Sequence, residues 1–83
     1  MRAEEQRKAM MFGLGLDGGD GHKRITKGEN FVLAGGSEET HERMSETAIK
    51  VNEQLSRKGK RLEDVSREEF HDMVREASKN WDP

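Results

Sequence analysis

The feature that most constrains this chain is a narrow apolar stripe behind a glycine-rich stop. Met44, Ala48, Val51 and Leu55 are spaced four, three and four residues apart. At about 100° per residue they fall on one side of a helix. Thr40 and His41 extend the stripe toward the N-terminus. Gly35-Gly36-Ser37 precedes it, and Ser37 is a suitable N-cap because its hydroxyl can accept from the unpaired amides of the first turn. Glu38 and Glu39 oppose the positive end of the helix dipole, and Arg57 and Lys58 the negative end. Gly59 can adopt the left-handed conformation that closes a helix. The spacing predicts a helix over 37–58. So narrow a stripe covers one neighbour, and Ile49, off the stripe, requires a second.

The last helix is announced by Ser66 and Glu69, which have capping-box spacing. Val65 and Phe70 occupy the positions of a hydrophobic staple. Phe70, Met73, Val74, Ala77 and Trp81 then form a second stripe, predicting a helix over 66–80. The short connector, with Leu62 and Val65 turned inward, favours an antiparallel helical hairpin.

Upstream, residues 22–34 read as a β-hairpin, with Ile25 before the turn and Phe31, Val32 and Leu33 after it. A two- or four-residue loop would put Ile25 on the face opposite Phe31 and Leu33. A three-residue loop, Thr26-Lys27-Gly28, puts all three on one face and gives Gly28 the left-handed position. The second arrangement is expected. Arg2 to Phe12 consists of strong helix formers and stops at Gly13, predicting a short N-terminal helix. Residues 13–22 hold five glycines and read as a mobile loop.

The expected fold is therefore α+β and mostly helical. A short helix and glycine-rich loop (1–21) precede a single small domain (22–83) of β-hairpin and helical hairpin. Charged residues make up 39% of the chain and hydrophobic ones 30%, so the core is thin. A thin core favours gaining buried surface by association. There is no cysteine, hence no disulfide framework or thiolate chemistry. No apolar run approaches the ~20 residues of a membrane span, and a cytoplasmic location is expected.

The chemical motifs fail one by one. Asp17-Gly18-Gly19-Asp20-Gly21 begins like an EF-hand loop, but glycine stands at 19 and 28 where acidic or amide ligands belong. No Gly-Lys-Ser/Thr follows the glycines as a phosphate-binding loop requires. His41-Glu42 lacks the second histidine of a metalloprotease. His41 and His71, each with carboxylates nearby, are a weaker metal reading, and no metal or cofactor is assigned. Carboxylates are plentiful, but none is marked for acid–base work, so no enzymatic activity is expected.

Two partner-binding readings follow. The leading one is a non-enzymatic interaction module or accessory subunit that binds another protein or self-associates. Its surface is Met10, Met11, Phe12, Leu14 and Leu16, apolar residues in excess of what two narrow stripes can cover. The alternative is a nucleic-acid-binding or regulatory protein whose Lys23, Arg24, Lys27, Arg57, Lys58, Lys60 and Arg61 track a phosphate backbone. The net charge of −2 weighs against it.

Overall fold

A computed structural model describes residues 9–19 and 21–79. Three strands precede two helices: β1 (Met11–Gly15), β2 (Ile25–Lys27), β3 (Phe31–Gly35), α1 (Glu38–Lys58) and α2 (Arg67–Ser78). A short 3-10 turn, Leu62–Asp64, joins the helices. The α+β expectation holds at this level, with three strands where the sequence suggested two.

The third strand is a correction. Met11 and Phe12 were expected at the end of a helix, and Gly13 to Gly15 in a loop. They form β1, parallel to β3, with Met11 beside Phe31, Gly13 beside Leu33 and Gly15 beside Gly35. Ala9 and Met10, also expected in that helix, are not helical, and residues 2–8 lie outside the described residues. Local propensity favoured the helix, yet Phe-Gly-Leu-Gly-Leu also alternates with period two, and packing selects that pattern. A Cβ on Gly13 would stand 2.8 Å from Leu33 and 3.0 Å from Met44. A Cβ on Gly15 would stand 2.5 Å from the Gly36 backbone. These glycines let the strand approach closely what covers it.

The sheet order is β1-β3-β2. Met11 N–H donates to Asn30 O at 2.8 Å. Backbone polar groups alternate sides along a strand, so those of Phe12 and Leu14 point away from β3, toward an edge with no strand partner among the described residues.

The hairpin register is a second correction. Ile25 pairs with Ala34, Thr26 with Leu33 and Lys27 with Val32. Gly28 N–H donates to Phe31 O at 2.9 Å, leaving Glu29 and Asn30 as a two-residue loop. Ile25 therefore faces away from Phe31 and Leu33. Gly28 is not among the positive-φ glycines. Its role is steric, since a Cβ there would meet the Phe31 ring.

Both helices end as the sequence indicates. Ser37 Oγ accepts from Thr40 N at 3.2 Å, and Gly59 closes α1 at φ 65°. Ser66 Oγ accepts from Glu69 N at 3.0 Å, while Val65 and Phe70 pack on the core. The helices are antiparallel: Gln54 donates to the Met73 carbonyl, and Lys58, farther along α1, reaches Glu69, earlier in α2. Helix α1 is central, contacting β1, β3 and α2. Met11, Ala48, Val51, Leu55, Leu62, Met73 and Ala77 make one buried cluster. Trp81, expected to continue the α2 stripe, lies outside the described residues.

A candidate interaction surface

Paired residues in a sheet share a face, and successive residues along a strand change face. Met11, Thr26, Phe31 and Leu33 thus point toward α1. Phe12, Leu14, Ile25, Lys27, Val32 and Ala34 point the other way. Burial agrees: Phe12 is 78% exposed, Leu14 70% and Ile25 64%, with Val32 and Ala34 half-buried between them. The same alternation runs from Ala9 to Leu16, so exposed Met10 and Leu16 lengthen the row on β1.

This inverts the usual pattern. A sheet covered on one side normally shows polar residues to water. Here β1 turns glycine inward beyond Met11 and large apolar side chains outward. Lys27 carries the only formal charge among the six outward strand positions named above.

Of the five apolar residues singled out in the sequence, four are exposed together: Met10, Phe12, Leu14 and Leu16. Met11 is in the core instead. Ile25, Val32 and Ala34 complete the surface and were missed. The two-residue-loop register, which puts Ile25 on the face opposite Phe31 and Leu33, is the signal that points to them.

The basic residues are not brought together. Arg24 Nη1 donates to Gly36 O at 3.1 Å, just ahead of α1. Arg57 to Arg61 lie at the other end of that helix, about 30 Å away for its 21 residues. Within the second group, Lys58 and Lys60 each reach Glu69 at 3.2 Å, and Arg61 Nε reaches Asp64 at 3.4 Å. The two lysines hold the Glu69 carboxyl below its ordinary pKa. Lys23 and Lys27 are exposed, and Lys27 belongs to the apolar face. A half-open cleft of about 520 Å³ lies beside this cluster, between Asn30, Asn52, Ser56, Lys60 and Glu63. Its central amides satisfy one another, Asn30 and Asn52 exchanging bonds of 2.8 and 3.0 Å.

His41 has a structural role. Nδ1 lies 2.9 Å from Gly35 O and Nε2 2.7 Å from Thr26 Oγ1. A carbonyl only accepts, so Nδ1 donates to it; in the neutral ring Nε2 then accepts from the Thr26 hydroxyl. Both nitrogens are engaged, and the ring ties α1 to β2 and β3. His71 is exposed and stacks at an angle near Phe70. Among the described residues no group of three or more metal-ligating side chains converges. Among the same residues, no helix is long and apolar enough to cross a membrane.

The α1 N-terminus holds an anion supplied by the chain itself. Asp17 accepts from Ser37 N at 2.9 Å, Ser37 Oγ at 3.1 Å and Thr40 Oγ1 at 2.7 Å. The Thr40 hydroxyl first, then the Ser37 amide, holds this carboxyl below its ordinary pKa.

No protein-family model matches the chain, no curated protein matches it, and no solved structure matches it.

Proposed function

We propose that this protein is a small non-enzymatic interaction module that presents the outer face of its sheet to a protein partner. One observation carries the reading: Phe12 and Leu14 on β1 and Ile25 on β2 stand largely exposed on either side of Val32 and Ala34, and Lys27 is the one charged residue among these outward strand positions. Contiguous apolar patches of this kind mark contact sites. Strand positions whose side chains face water are ordinarily polar, and selection for solubility alone would put charge here.

The test is capture from nuclease-treated lysate with the wild-type chain and Leu14→Lys as parallel baits. The lysine replaces an exposed side chain, so the domain should fold unchanged. The expected result is a protein partner retained by the wild type through moderate salt and lost with the variant. Equal capture by both baits would refute the assignment to this face. Binding that instead falls steeply with salt would point to phosphate contacts.

A further inference from the structure

We infer that the partner on this face is a second copy of the chain, packed sheet against sheet. The inference rests on the proposed interaction reading and gives it an occupant.

Shape is the first argument. The flanking strands carry large outward residues, Phe12 and Leu14 on β1 and Ile25 on β2. The central strand carries the smaller Val32 and Ala34. The face is a trough between two ridges about 10 Å apart, twice the strand spacing. A two-fold axis in the interface would seat the Phe12-Leu14 ridge of each copy in the other's trough. Such a contact is isologous and closes on itself.

Area is the second. Taking roughly 150–200 Å² for a free side chain of this size, the exposed parts of Met10, Phe12, Leu14 and Leu16 amount to roughly 500 Å² per copy, with Ile25 at the rim beside Lys27. Two copies would bury about 1,000 Å², at the low end where weak, transient interfaces lie. The result is a reversible dimer that forms with rising concentration.

Charge is the third. Lys27 sits on β2, at the far side of the face from β1, and keeps to the rim in such a dimer. One lysine is too few for a phosphate backbone or an anionic lipid surface. Pairing of the open β1 edges would leave Phe12, Leu14 and Ile25 in water, so it does not account for the face.

The test is sedimentation equilibrium of the whole chain from low micromolar to submillimolar concentration, with intermolecular NOEs in a half-labelled sample. The expected result is a monomer–dimer equilibrium with NOEs from the Phe12 ring to the Val32 and Ala34 methyl groups. Leu14→Lys should weaken the dimer roughly tenfold or more. Ile49→Lys, exposed on α1, should leave it unchanged. Amide spectra confirm that each variant is folded. Monomer mass throughout overturns the second copy; if lysate capture still depends on Leu14, the interaction reading stands with a different partner. A dimer indifferent to Leu14→Lys overturns the geometry. So does one that protects the edge-facing Phe12 and Leu14 amides from exchange without those NOEs.

Discussion

Asp17 and Thr40, 23 residues apart, meet at the start of α1, where the carboxylate accepts the threonine hydroxyl at 2.7 Å. The loop after β1 is thereby latched to the helix that forms the centre of the fold. The glycines around it serve the same contact. A Cβ on Gly18 would stand 2.9 Å from the Gly36 carbonyl oxygen, and one on Gly35 would stand 2.6 Å from that of Gly15.

The latch should be pH-dependent. Its hydrogen bonds depress the folded-state pKa of Asp17 below its ordinary value of 3.8. The stabilisation is therefore fully present above that value, where both states are ionised. It is lost as pH falls through the lower folded value. Asp17→Asn should lower the denaturation midpoint at neutral pH and flatten its acid limb. Urea titrations of both proteins across the acid range check this.

Gly35 should tolerate no side chain. It holds φ 78° and faces the Gly15 carbonyl, so Gly35→Ala combines backbone strain with a backbone clash. A loss of more than about 2 kcal/mol is expected. Gly19, with nothing within 4 Å of its added Cβ, should accept alanine with neutral effect or a gain of up to about 1 kcal/mol. Equilibrium denaturation of both variants decides it.

His41→Phe should cost about 1–3 kcal/mol, because it leaves the Thr26 hydroxyl and Gly35 carbonyl without their ring partner. The double variant with Thr26→Val should recover part of that loss, since the hydroxyl is then removed as well. A double-mutant cycle by urea denaturation measures the coupling.

The two faces of the fold should respond oppositely. Met73 is 2% exposed, and Met73→Ala should cost about 2–5 kcal/mol through a lost contact and a cavity. Leu14→Ser, on the outer face, should change monomer stability by about 0.5 kcal/mol or less. Melting at low concentration, where the monomer prevails, makes the comparison.

The helical part of the fold was legible because its signals are local. Ser37, Gly59, Ser66 and the two stripes act within one or two turns, so capping chemistry and period 3.6 identify them. The capping box was legible only in half. Ser66 caps the Glu69 amide, but the Glu69 carboxylate goes to Lys58 and Lys60, which only the helical hairpin brings near.

The interaction surface was half legible for the same reason. Four of its residues, Phe12 and Leu14 on β1 with Met10 and Leu16 flanking the strand, are recognisable as surplus apolar groups. Their joining with Ile25, Val32 and Ala34 depends on register.

By itself, then, the sequence determined two capped helices, a thin core, and more large apolar side chains than that core can bury. Tertiary structure decided which strands exist and which way they face. Met11 to Gly15 has weak preferences of its own, and becomes a strand because β3 supplies its hydrogen bonds and its glycines admit Leu33, Met44 and Gly36. A one-residue change of loop length turns Ile25 from core to surface, since side chains alternate at every step along a strand. Packing Phe31 over Gly28 and bonding Thr26 to His41 requires the register in which Ile25 faces out. Those contacts span the chain, and no local pattern encodes them.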